Sequence, residues 1–372
     1  MSSPKIVSRP RIRRAGPSRP PVAYRARRRL LALGRLAPCA SPPRLHATRP
    51  LAPLVRITLA LVPLALLVRS TPARAAPRDE AVPTLPDTTV AVGLAPVVGR
   101  AQVEIIAPGD TLLDVAERHR LGFERVARLN PEVDPWIPKP GTRVRLPTRS
   151  VLPDAPHDGL VVNLPELQLY DYGVDREDPA VLALAIGDEL DPSLIGRFRI
   201  GRKRADPVWH VPTSIREERP DLPAEVPAGP DNPLGPYWLT IGETSYGLHG
   251  TNNRWSIGRE ATHGCLRMYN DVVGRLFERT PTGTPIRLVY QTVKFGLETG
   301  IVYVEAHPDR YRRDPDRLER AHAQLRLLGL DDDESLARLD AVIEAARGEP
   351  VAIGVLPEDG TPIDELTSRP TS

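Results

Sequence analysis

Beginning at residue 102, apolar positions follow two different periods. QVEII (102–106) alternates as a half-buried strand does. In PGDTLLDVAERH a turn leads to Asp110, expected as an N-cap, and then to Leu112, Leu113, Val115 and Ala116 on one helical face. GFERVARLN predicts a second short helix stopped by Asn130-Pro131, and GTRVRLP (141–147) predicts a closing strand. The result is a small α+β (βααβ) unit of under 50 residues, bounded at 101–148.

The next region, 158–291, is dominated by strands. DGLVVNLPELQLYDYG reads as two strands with Pro165 in the connection; AVLALAIG (180–187) and IGRFRIGRK (195–203) follow. Residues 205–236 hold many prolines and are expected to form a long loop, which in a compact domain is commonly a lid or a binding loop. YWLTIG and YGLHGT predict strands, the second delivering His249 at its end. NDVVGRLFERT (270–280) predicts a helix, N-capped by Asn270 or Asp271, with Val272, Val273, Leu276 and Phe277 on one face. TPIRLVY (284–290) closes the region, whose expected class is mainly β, sandwich-like, with few helices. Residues 292–372 predict a strand at GIVYVEAHP, two helices within 311–347 and a disordered tail.

Ahead of all this, residues 1–50 are rich in Arg and Pro and lack an apolar period, which predicts disorder. ITLALVPLALLV (57–68) is short of the roughly 20 residues of a bilayer span but suits a signal-peptide core. Ala73-Arg74-Ala75 has the small-x-small pattern, so cleavage near Ala75 is expected, with no stable membrane span afterwards. The basic stretch before the apolar run is long enough to suggest translation from a later, non-Met codon. Residues 76–100 read as a Pro-rich linker with one short strand.

Charge changes the picture of possible partners. The net charge of +3 averages residues 1–78, with 17 Lys+Arg and no acid, and a remainder with 33 basic and 47 acidic residues. The part that folds is acidic, which argues against nucleic acid. Of two cysteines, Cys39 precedes the apolar run and would leave with it. Cys265 then has no intramolecular partner, and a solitary thiol in an exported protein is an oxidation liability unless it has chemistry to do.

Cys265 sits in LHGTNNRWSIGREATHGCLRM (248–268) with His249 and His263. A strand ending at His249 and a chain that turns back would bring imidazole to sulfur as base to nucleophile. A turn at Gly264 would aim backbone N–H groups at a developing oxyanion. His263, two residues from Cys265, falls on its side of an extended segment, and Arg267 continues that face. Two other readings stand beside this one: an inert buried thiol, and a zinc site from His249, His263 and Cys265, whose spacing matches no common ligand pair.

HGT (249–251), ten intervening residues and THGCLRM (262–268) resemble the active-site signature of the L,D-transpeptidase catalytic domain family. NPLGPYWLTIG, SIGR (256–259) and TGTPIRLVYQTVKFG resemble its Gram-negative envelope branch. DELDPSLIGRFRI departs from the family's Thr-Pro-x-Gly-x-Phe. Pro108-Gly109-Asp110-Thr111-Leu112, Leu129-Asn130-Pro131, Gly141, Val144 and Leu146 resemble a LysM module. The resemblance implies an enzyme of the periplasm or cell envelope, with no metal or organic cofactor. It implies Cys265 as nucleophile, His249 as proton donor and acceptor, and His263 and Gly264 as loop and oxyanion support. Arg267, Thr251 and Thr262 would meet substrate. The implied partners are peptidoglycan glycan and peptide stems, with an envelope lipoprotein as a further acyl acceptor. A non-catalytic peptidoglycan-binding wall protein is the alternative.

Overall fold

The computed structural model describes residues 93–173 and 179–356. The basic segment, the apolar run with its cleavage pattern, Cys39 and the C-terminal tail lie outside the described residues. Among the described residues, no helix is long and apolar enough to cross a membrane.

The chain opens with β1 (Ala95–Gly99), β2 (Gln102–Ile105), α1 (Leu112–Arg118), α2 (Phe123–Leu129) and β3 (Arg143–Leu146). β2 and β3 pair antiparallel, with Gln102 opposite Leu146. Leu112, Val115, Ala116 and Val126, all shielded from water, close a small core beneath them. The cap of α1 is Thr111, one residue later than expected: its Oγ1 accepts from Asp114 N at 3.1 Å while Asp114 accepts from Thr111 N at 2.9 Å. Asp110 instead receives the Arg118 guanidinium at 2.9 Å.

β4 (Arg149–Val151) leads to β5 (Gly159–Asn163), β6 (Gln168–Gly173), β7 (Ala180–Ala183), β8 (Ile186–Gly187) and β9 (Gly196–Ala205). The proline-rich stretch is not wholly loop: it contains β10 (Trp209–His210), α3 (Thr213–Glu218) and β11 (Glu225–Val226), with β10 and β11 paired. Then come β12 (Tyr237–Ile241), β13 (Gly247–His249), β14 (Glu260–Thr262), β15 (Leu266–Arg267), α4 (Asn270–Arg279) and β16 (Pro285–Val289). Tyr269, not Asn270 or Asp271, is the residue preceding α4, because Asn270 is already helical. β17 (Val293–Glu298), β18 (Ile301–Ala306), α5 (Arg317–Leu327), α6 (Asp333–Ala345) and β19 (Val351–Val355) complete the described chain.

The fold is mixed α/β. In place of a face-to-face sandwich, one curled sheet of eight strands runs β15-β13-β12-β9-β16-β5-β6-β7. Its concave side encloses Leu160, Val162, Leu239, Leu248, Leu266 and Val273. α4 covers that side because Val272, Val273 and Leu276 fall on one face of its turn. A second sheet, β19-β18-β17-β1-β4, joins the two ends of the described chain, and α5 and α6 pack on it through Leu325, Leu339 and Ile343. β1, within the stretch expected as linker, is thus an interior strand of a sheet.

Two of the junctions that tie the βααβ unit to the rest bear on the site and on the interior. At the first, the N–H groups of Phe123 and Glu124, opening α2, donate to the carbonyls of Ile257 and Gly258 at 3.3 and 3.4 Å. Backbones meet there closely enough that a Cβ on Gly258 would stand 2.3 Å from the Cα of Gly122. At the second, Arg125 of α2 reaches Glu305 of β18 at 3.2 Å and the Gly348 carbonyl at 2.9 Å. Lys294 of β17 bridges Glu166 at 2.7 Å and Glu305 at 3.2 Å, and His307 lies 3.1 Å from Glu305. All five side chains are buried.

Candidate active site

The site forms where two short strands run side by side at the sheet edge. β13 and β15 are parallel, with Leu248 opposite Leu266 and His249 opposite Arg267. Both leucines are sunk in the core. Strand alternation therefore sends Cys265, Arg267 and His249 to the other face. Trp238 of β12, opposite His249, stacks on its ring at 5.7 Å. The same indole covers Gly247, where a Cβ would stand 2.6 Å from the ring. Only glycine therefore fits beneath the indole. Arg204 of β9 is the next residue across, opposite Trp238.

His249 is 3% exposed, and its Nδ1 lies 2.6 Å from the Gly250 carbonyl. A carbonyl only accepts, so Nδ1 carries the proton and Nε2 keeps its lone pair. Desolvation, and then the Arg267 charge, pull the imidazole pKa down to about 3 against the opposing pull of the Gly250 and Leu234 carbonyls. The Cys265 thiol is partly buried and makes no disulfide. Desolvation raises its pKa; a hydrogen bond from the Gly247 amide and the Arg267 charge oppose the rise. Burial thus favours the neutral thiol and the neutral imidazole over the ion pair.

A tight turn presents the cysteine. Gly264 has φ of +92°, and a Cβ there would stand 2.4 Å from the Tyr246 ring, so the turn requires glycine twice over. Thr262 Oγ1 donates to the Cys265 carbonyl at 2.6 Å and closes the turn. Thr251, expected at the substrate along with Thr262, is 4% exposed; its Oγ1 accepts from Asn253 N at 2.8 Å and its backbone is clasped by Asn270. Both threonines hold loops. His263 is separated from Cys265 by the left-handed Gly264. It is exposed and meets Glu218 of α3 at 3.2 Å. Among the described residues, the ligand atoms of His249, His263 and Cys265 do not gather within 4.8 Å of one another. Tyr246, Gly247 and Trp238 escaped the sequence reading, since their roles depend on cross-strand register.

With this geometry in place, comparison with known proteins is decisive. The L,D-transpeptidase catalytic domain (YkuD) profile matches residues 157–288. A relative described as probable L,D-transpeptidase YbiS, from Escherichia coli, is 38% identical over 220 residues, covering 57% of this chain and 71% of its own length. The chain belongs to the L,D-transpeptidase family of enzymes. A second relative of that family, the probable L,D-transpeptidase ErfK/SrfK of Salmonella typhimurium, is 34% identical over 253 residues, covering 64% of this chain and 81% of its own length. The probable L,D-transpeptidase YcfS of Escherichia coli is 33% identical over 225 residues, covering 57% and 69%.

Proposed function

We propose that this L,D-transpeptidase is an exported, envelope-located cysteine acyltransferase acting on the tetrapeptide stems of peptidoglycan. Cys265 Sγ attacks the carbonyl of the L-centre of diaminopimelate while its proton passes to His249 Nε2. The backbone N–H groups of the Gly264–Cys265 turn receive the oxyanion. Collapse breaks the peptide bond, the D-alanine amine leaves with the proton from His249, and a thioester remains on Cys265. An acceptor amine then attacks the thioester, gives its proton to His249 and releases the thiol. That amine belongs to a second stem, giving a direct diaminopimelate cross-link, or to a lipoprotein lysine; water gives carboxypeptidase activity instead.

The observation that carries this reading is the His249 imidazole pinned at Nδ1 by Gly250, on the same sheet face as the Cys265 thiol, with burial favouring the neutral form of each. A base with its lone pair free and a thiol with its proton present are what a concerted attack requires. Arg267 and Arg204 on that face suit the carboxylates of a stem peptide. The βααβ unit at 101–148 is the proposed LysM-like glycan handle, with 158–291 as the catalytic domain and 292–372 as the C-terminal extension. The test is mass spectrometry of muropeptides and wall-linked proteins after incubation of sacculi with the parent and with Cys265→Ala. New cross-links or lipoprotein adducts with the parent alone support the reading. Sacculus binding with unchanged muropeptides would favour a non-catalytic wall binder.

A further inference from the structure

The stretch following β18 reaches the back of the nucleophile turn, although it lies beyond the matched catalytic domain. Arg310 is buried, its side chain 4% exposed, and its guanidinium joins three parts of the fold. Nε donates to the Pro165 carbonyl at 3.0 Å, and Nη1 meets Glu124 of α2 at 3.0 Å and Glu260 of β14 at 2.6 Å. β14 runs directly into Thr262-His263-Gly264-Cys265.

Tyr311 acts closer still. Its hydroxyl donates to the Gly187 carbonyl at 2.7 Å and accepts from Ser193 N at 3.3 Å, while Ser193 Oγ accepts from Gly187 N at 2.9 Å. These bonds close a ring around the segment 187–193. That segment is the wall behind the turn: Gly187 pairs with Thr262, and Asp188 N donates to the Thr262 carbonyl at 3.3 Å. A Cβ on Gly187 would stand 2.8 Å from both N and Cα of Gly264, and a Cβ on Gly264 would stand 3.3 Å from the Pro192 carbonyl. The left-handed turn thus closes against a surface that Tyr311 fixes.

We propose that Tyr311 is a positioning residue for Cys265, with Arg310 anchoring the strand that leads to it. The proposal rests on the reading of Cys265 as nucleophile. It gives the C-terminal extension a part in the reaction: it sets where Sγ stands relative to the Gly247 amide and to the incoming carbonyl. Attack geometry is sensitive to displacements well under 1 Å, at a cost approaching a hundredfold per ångström.

Tyr311→Phe in the full chain removes one hydroxyl and leaves the ring stacked on Tyr290 at 5.6 Å. Acylation by a carbapenem is followed by stopped-flow fluorescence, and the pH profile of iodoacetamide alkylation is recorded beside it. We expect acylation slowed roughly ten- to a hundredfold with unchanged non-covalent affinity, and an alkylation midpoint moved to higher pH as Sγ leaves the Gly247 amide. Ser193→Ala, which opens the same ring from the other side, should act in the same direction. A parental acylation rate and alkylation profile in Tyr311→Phe would overturn the proposal, as would a fall explained by lost thermal stability with the profile unmoved. Cys265→Ala separates the two readings. An adduct that still forms there defeats the nucleophile assignment, whereas an adduct lost there with a parental rate in Tyr311→Phe defeats only the positioning role.

Discussion

On the β13–β15 face, His249 and, in part, the Cys265 thiol lose water beside the cation of Arg267, with no carboxylate among the groups that shift them. At the junction of α2, β17 and β18, the buried side chains of Arg125, Lys294, Glu166 and Glu305 lose it too, yet face one another. The outcomes are opposite. In the first region burial drives both groups toward their neutral forms, and Arg267 adds to the cost of an imidazolium. In the second, Lys294, His307 and Arg125 outweigh desolvation and hold the Glu305 carboxyl well below its usual range. Two basic side chains balance two acidic ones there, so the cluster works as an internal tie between the βααβ unit, the catalytic sheet and the C-terminal sheet. The comparison teaches that burial alone does not set protonation; the sign of what is buried alongside does.

The contrast predicts which substitutions act on chemistry and which on folding. Cys265→Ala should abolish the covalent adduct with a carbapenem, read by intact-protein mass spectrometry, while the thermal midpoint stays near the parent's. Next in size, His249→Gln should lower the acylation rate by about 10²- to 10⁴-fold with the fold intact. Unchanged rates would remove His249 from the mechanism. Lys294→Met should leave Glu166 and Glu305 without their shared cation and cost about 3–5 kcal/mol in denaturant unfolding. Combining it with Glu305→Gln should recover part of that loss, and an unaltered double mutant would break the comparison.

Arg267→Ala should have a smaller effect. Its charge lowers both pKa values, so its removal should move the Cys265 alkylation midpoint up and make His249 easier to protonate. The smallest effect concerns acid stability. His249 titrates near 3 in the native state, below the ordinary histidine value of 6.5. Between those limits the unfolded chain binds a proton that the native one does not. The His249 contribution is therefore complete above pH 6.5 and declines as pH falls toward 3. In His249→Gln the slope of stability against pH in that window should be shallower, as followed by urea unfolding at several pH values.

Much of this fold could be read from periodicity because the apolar faces of its helices and strands are local patterns. Leu112, Val115 and Ala116 announce α1, and Val272, Val273 and Leu276 announce α4, at helical spacing. The strand ending at His249 and the turn at Gly264 were equally visible, since glycine marks the backbone that only it tolerates. What escaped depends on register between distant segments. β1 pairs in parallel with β17, Ala95 against Gly296, and nothing in either segment encodes the other. His263 finds Glu218 from a stretch expected as loop, and Arg310 finds Glu124 and Glu260 far away in sequence. Thr262 is a different kind of miss. A threonine hydroxyl bonding a backbone group three residues on is a known turn habit, and the signal was present in THGC.

The meeting of Gly122 with Gly258 sets a length scale. Because the βααβ unit is fastened by its backbone to the loop that separates His249 from Cys265, it is no tethered anchor sweeping a volume around the enzyme. Under the proposed function, a glycan strand gripped by that unit would lie at a constant offset from the thiol. The spacing of successive acyl transfers along the wall would then be dictated by the enzyme's own dimensions, as a gauge dictates the spacing of rails, and not by the random reach of a linker.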